Sequence, residues 1–322
     1  MSLTTYGPAP APDPALGPGP ATHGLRALIE RRPVTVFFVL ANLASWIAWT
    51  PYILSQHGLG VLDISFPGGA LGSQLLGVLP GAYLGPIASA FLVTAVADGR
   101  AGLREWAGRL WRWRVSWRWY AGILLGVPAV FVISTVFVGG EAQVPPVLVL
   151  AAYVPGLLLQ MITTGLAEEP GWRDFALPRL QRKVGPLGTA AIVGPLWGVW
   201  HLPLFLTEWG GYPDAAWYRP IEFVVVCVMF NIVMMWVFNR TGQSLPMAML
   251  FHVSINNFAS VVWSSVFPGL HGDYIQHALL LGSSVVAGTL LVATRGRLGY
   301  HPHGTVPADG RSTAGQALVA PR

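Results

Sequence analysis

The chain is short of charge: only 10% of its 322 residues are Asp, Glu, Lys or Arg, against roughly a quarter in ordinary soluble domains. With 53% of positions hydrophobic, it has too little polar surface to cover a core in water, so lipid must cover the rest. Cysteine occurs once, at Cys227 within an apolar run, which excludes an intramolecular disulfide framework and a Cys-rich metal cluster. Lysine also occurs once, at Lys183, and its scarcity beside abundant Ala, Gly, Pro and Arg is the composition of a high-GC bacterial genome. The soluble-type zinc motif His-Glu-x-x-His is absent. The net charge of +5 does not point to nucleic acid, because the basic residues stand in short blocks between apolar runs, where they set membrane orientation.

Eight apolar segments are long enough to span a bilayer, near 33–56, 74–97, 119–139, 146–169, 187–206, 220–239, 244–265 and 275–294, given that a spanning helix needs roughly 20 residues. Arginines fill alternate connections: Arg26, Arg31 and Arg32 before the first segment, Arg100 to Arg118 after the second, Arg173 to Lys183 after the fourth, Arg240 after the sixth, and Arg295 and Arg297 after the eighth. The positive-inside rule then puts both termini in the cytoplasm. The expectation is an all-α, polytopic transmembrane helical bundle of about eight spans in a bacterial inner, or plasma, membrane. It comprises a membrane-embedded domain over 25–295 between disordered cytoplasmic tails at 1–24 and 296–322, which are rich in small and polar residues. Between Arg104 and Trp119, helical spacing puts Trp106, Leu110, Trp113 and Trp117 on one face, which predicts an amphipathic helix lying flat among lipid headgroups.

A charged side chain at the bilayer centre costs about 2.5–3.5 kcal/mol, so such residues mark function by default. Three places carry them. Glu168-Glu169-Pro170-Gly171-Trp172-Arg173 ends the fourth segment; Glu169 and Arg173 stand one turn apart and can pair, which leaves Glu168 for acid–base work. His201 interrupts an otherwise apolar fifth segment, and His252 with Asn256, one turn apart, shares a face of the seventh. Each could be a packing decoration; on three separate spans, together, they read as one site. Asn231, Asn239 and the methionines of the sixth and seventh segments read as packing. At 1.5 Å per residue His201 lies about 20 Å along a helix beginning at Leu187, and His252 only about 12 Å from its own helix end. Either the cavity is deep or the fifth span starts later, after an interfacial piece around 179–188, and the later start is the expectation.

In that order, Glu168-Glu169-x-x-x-Arg173, Trp197-x-x-x-His201 and His252-x-x-x-Asn256 resemble the three motifs of the CPBP (CAAX protease and bacteriocin-processing, or ABI) family of intramembrane proteases. The similarity covers roughly residues 150–260. Two departures stand out: Trp197 where phenylalanine is commonest, and Asp174 where a glycine is usual. The resemblance implies a membrane peptidase open to the cytoplasm, in which Glu168 and His201 position and deprotonate a water while His252 and Asn256 stabilise the oxyanion. It equally allows a divalent metal such as zinc on His201, His252 and Glu168, and leaves the choice between metal and no metal open. The implied partners are membrane lipids and a peptide or lipidated protein, with no nucleic acid. A non-enzymatic alternative, a bacteriocin-immunity factor or a proton-linked carrier, would use the same histidines for binding or proton relay.

Overall fold

The computed structural model of the chain describes residues 24–301, so most of both tails lies outside the described residues. Within them the fold is all-α, with no strand. The helices are α1 (Leu25–Arg31), α2 (Pro33–Leu54), α3 (Leu71–Ala97), α4 (Gly99–Gly108), α5 (Trp117–Phe137), α6 (147–184), α7 (186–200), α8 (Arg219–Arg240), α9 (Leu245–Val266) and α10 (Asp273–Ala293). Seven helical stretches among the described residues are long and apolar enough to cross a membrane, and one of them, Val147–Leu206, runs for 60 residues through α6 and α7. A straight helix of that length would extend about 90 Å, three times the hydrocarbon thickness. It breaks at Gly185, where φ is 70° and ψ 179°, a conformation open to glycine alone. The stretch holds two of the eight apolar segments read from the sequence.

The break falls inside the piece expected to be interfacial, but helix resumes at once at residue 186. The helix that carries His201 therefore starts within that piece. His201 remains about 22 Å along α7.

Proline and serine set the helix starts. Pro33 and Pro246 occupy first-turn positions, where the missing N–H costs nothing, and the Ser244 hydroxyl accepts from the Met247 amide to cap α9. α7 lies on α8 through Gly194 and Gly198: a Cβ added at these positions would sit 2.8 Å from the Val228 Cα and 2.9 Å from the Val224 Cα. Two small residues four apart let backbones touch, the usual device of helix pairs in lipid. α6 in turn packs on α9 and α3, and α8 on α9 and α10. The three motif-bearing helices α6, α7 and α9 thus surround one region, with α8 beside it.

The amphipathic segment departs from its expectation. Helix α4 ends in a tight turn at Arg109–Trp111, and 112–116 is not helical. The cause is Arg109, which turns into the bundle: its guanidinium donates to Asp174 Oδ1 (2.6 Å), to Glu105 Oε1 (2.5 Å) and to Gln243 Oε1 (3.2 Å). Arg112 then bonds the Gly242 carbonyl, and Ser244 bonds the Arg112 carbonyl. Trp106 turns inward too, donating to the Pro170 carbonyl at 3.0 Å, whereas Trp113 and Trp117 stay exposed. At the other end, residues 296–301, assigned by composition to the tail, pack on the bundle: Leu298 is fully buried and its carbonyl accepts from Asn239.

The loop after α2 is tied to the turn after α7. His57 Nδ1 lies 3.0 Å from Glu208 Oε2, and Ser73 donates to the other oxygen. Partial burial pushes the Glu208 carboxyl upward, but the hydrogen bonds from Ser73 and His57 outweigh it and hold the group below its ordinary value. A depressed folded value means that the tie stabilises above the unfolded carboxylate range, about 4.3, and is lost as pH falls through the lowered value. Hydrogen exchange in residues 55–66 should therefore accelerate below about pH 4. Protection that stays flat down to pH 3 would show that Glu208 does not hold this loop.

Candidate active site

Glu168 and Glu169 sit where α6 passes through two wide, π-helical turns, Met161–Leu166 and Pro170–Ala176. Such turns disrupt the regular ladder and recur at functional sites; Pro170, which lacks an N–H, falls at the start of the second. Both carboxylates are buried, with Glu169 fully so. Glu169 accepts from His252 Nδ1 on α9 at 2.8 Å through Oε1, and its Oε2 lies 3.3 Å from Arg173 Nε. A carboxylate only accepts, so Nδ1 of His252 carries the proton and the ring is oriented from α6. Asn256, one turn further along α9 and half-buried, brings Nδ2 within 3.4 Å of His252 Nε2. Glu168, Glu169 and His252 each offer a donor atom within 4.8 Å of the others.

His201 is placed differently. It is buried directly after α7, with Nδ1 bonded to the Trp197 carbonyl at 2.9 Å and its ring among Trp200, Trp209 and Phe223. Because a carbonyl only accepts, Nδ1 carries the hydrogen and Nε2 keeps a lone pair. His201 is not part of the close group around Glu169. Trp197 stands between: its ring centroid is 6.0 Å from His201 and 5.2 Å, edge to face, from His252. Its indole N–H donates to Glu168 Oε2 at 2.9 Å, and the Arg173 guanidinium lies 4.6 Å over its ring.

Trp197 thus does more than its place in the motif shows. The departure from phenylalanine reads as mild in a pattern, yet it adds a hydrogen-bond donor aimed at the first carboxylate. Asn231 was set aside as packing. It is fully buried on α8 with no protein partner for either amide atom, on the same helix face as Cys227 and Met234, and Met234 Sδ accepts from Arg173. Asp174, the other departure, turns toward Arg109 and not toward the Glu169–Arg173 pair.

The donor set suits a divalent cation poorly. Glu169 spends one oxygen on His252 and sets the other against Arg173, whose guanidinium would repel a cation on the same carboxylate. The metal trio read from the motifs, His201, His252 and Glu168, is not the close trio found, in which Glu169 stands in place of His201.

Buried carboxylates and imidazoles on three apolar helices, held by an arginine and backed by an amide, are costly in lipid and mark a candidate functional site. The comparisons narrow the class. Residues 150–259 match the family model of the type II CAAX prenyl endopeptidase Rce1-like proteins, the same segment whose motifs resemble the CPBP, or CAAX protease, family. A stretch of 108 residues is 27% identical to CAAX prenyl protease 2 of Methanococcus maripaludis, covering 32% of this chain. The match spans about two fifths of that relative's length, 39%.

Proposed function

We propose that the chain is an intramembrane endopeptidase that hydrolyses a peptide bond near the membrane surface in a peptide or lipid-modified protein. The observation that carries this reading is the meeting of Glu168, Glu169 and His252, from two helices, in one buried group. Glu168 has one oxygen fixed by Trp197, which leaves Oε1 to take a proton from an attacking water. The lone pair on His201 Nε2 can receive that water's second hydrogen and orient it. Asn256 Nδ2–H, and His252 Nε2–H when the ring carries two protons, are the donors for the oxyanion; fixed donors in a dry cavity stabilise developing charge strongly. Glu169 and Arg173 act through His252 and Trp197 and touch neither water nor substrate. The arginine-rich connections support a cytoplasmic side for both termini and for the mouth of the site, in a bacterial plasma membrane.

The deciding experiment is cleavage of a peptide and its farnesylated counterpart by detergent-purified protein, followed by mass spectrometry. Intact substrates after long incubation with folded protein, together with proton-gradient-dependent solute uptake by proteoliposomes, would replace the peptidase with a carrier. Two further outcomes are expected. Trp197→Phe keeps the ring but removes the N–H, and a hydrogen bond to a charged group is worth enough to lower kcat by roughly tenfold with KM little changed. An unchanged kcat would show that Glu168 is oriented without it. Treatment with EDTA or 1,10-phenanthroline is expected to leave kcat within about twofold, since Glu169 in the close trio is already engaged by His252 and faces Arg173. A larger loss restored by zinc would put a cation on Glu168, Glu169 and His252.

A further inference from the structure

A cavity of about 450 Å³ lies between α5, α8, α9 and α10, apart from the carboxylates of the site. Along α5 it is lined from Arg118 to Phe131, a run of about 20 Å. Its walls are aliphatic and aromatic apart from Ser283 and, at one end, Arg118. An extended peptide could not satisfy its backbone groups there, whereas a hydrocarbon chain needs nothing more.

Of the three glycines in the wall, Gly282 serves a close contact with Ser134, but the two on α5 say that the space is kept open. A glycine inside a helix is costly unless something uses its lack of a side chain, and in lipid the usual use is close helix contact, as at Gly194 and Gly198. At Gly122 and Gly126, which line the cavity, an added Cβ would meet no atom within 4 Å. These glycines bring no helix closer; they leave room for something that is not the protein.

One end of the cavity is cationic. Trp236 lines both the cavity and a second hollow of about 330 Å³, formed with Arg240, Thr294, Arg297, Tyr300 and His301. No acidic residue lines either space. Arg109, Arg173, Arg179 and Arg219 each have a carboxylate partner, whereas among the described residues Arg118, Arg240 and Arg297 have none. An apolar trough ending in unpaired guanidiniums beside tryptophan is the complement of an amphiphile with a negatively charged head.

We propose that this face seats one anionic phospholipid from the surrounding bilayer, an acyl chain lying in the cavity and the phosphate held by Arg240 and Arg297. The site does not depend on the peptidase reading, although Phe230, which lines the cavity, also packs 5.8 Å from the His252 ring, so an occupied cavity would steady one wall of that histidine.

The test uses the full chain, purified in detergent and reconstituted in phosphatidylcholine nanodiscs containing a small fraction of phosphatidylglycerol, with retained lipid counted by native mass spectrometry. Wild type is expected to retain one phosphatidylglycerol per chain, undisturbed by millimolar inorganic phosphate. Arg240→Ala with Arg297→Ala should weaken retention roughly thirty-fold. Gly126→Leu, whose Cβ would meet no atom within 4 Å and whose side chain occupies the open space, should abolish it with both arginines in place. Phosphatidylcholine held as well as phosphatidylglycerol would overturn the headgroup assignment. Retention unaffected by Gly126→Leu would overturn the seat and leave only attraction to a basic surface. If the double variant does not fold, the Gly126→Leu result and the lipid selectivity of wild type decide alone.

Discussion

Glu168→Gln should lower kcat for peptide cleavage by about a thousandfold while the protein inserts, purifies and melts like wild type. The amide keeps the size of the carboxyl and can still accept from the Trp197 indole through its oxygen, so the hydrogen bond at 2.9 Å is preserved. What it loses is the ability to take a proton from water. Glu169→Gln makes the informative comparison, because that residue spends its oxygens on His252 and Arg173. Its substitution should damage both activity and stability, since a fully buried Arg173 then loses its counter-charge. Near wild-type turnover in Glu168→Gln would remove the proposed base and the peptidase mechanism with it.

Arg109→Ala should destabilise the folded protein by about 3–5 kcal/mol, the range for removing one member of a buried ion pair. Asp174 is fully buried, its partner is only 8% exposed, and the two are joined at 2.6 Å. Without the guanidinium the carboxylate loses its hydrogen-bonded counter-charge and keeps only the more distant Arg112 and Arg179, and α4 loses its anchor on α6. The double variant Arg109→Ala with Asp174→Asn should recover part of the loss, because the stranded charge is gone; such non-additivity is the mark of direct coupling. Thermal unfolding in detergent measures both. Equal stability of single and double variants would mean that Asp174 is not the partner that matters.

The bundle was legible because charge is scarce and the apolar runs are long, signals that depend on local composition alone. The three motifs were legible for the same reason: a carboxylate or imidazole inside an apolar run stands out whatever the fold. Their relative placement was harder. Glu169 takes the central position and His201 a more distant one, since which carboxylate meets which histidine depends on how α6, α7 and α9 pack, and spacing along each helix does not encode that. The flat helix expected over 104–119 failed on one long-range bond. Arg109 and Asp174 are 65 residues apart, and nothing near Arg109 announces that its charge points inward, so an amphipathic pattern ran on past the point where the backbone leaves the helix. Asp174 itself was visible as a departure, but its effect could not be read without its partner.

The contact of Gly194 and Gly198 with the α8 backbone leaves no clearance for α7 to roll about its own axis. The azimuth of Trp197, and with it the direction of the indole N–H, is therefore dictated from the neighbouring helix. Any larger side chain at Gly198 would act as a wedge, so Gly198→Leu should disorder the peptidase centre while leaving every titratable group in place.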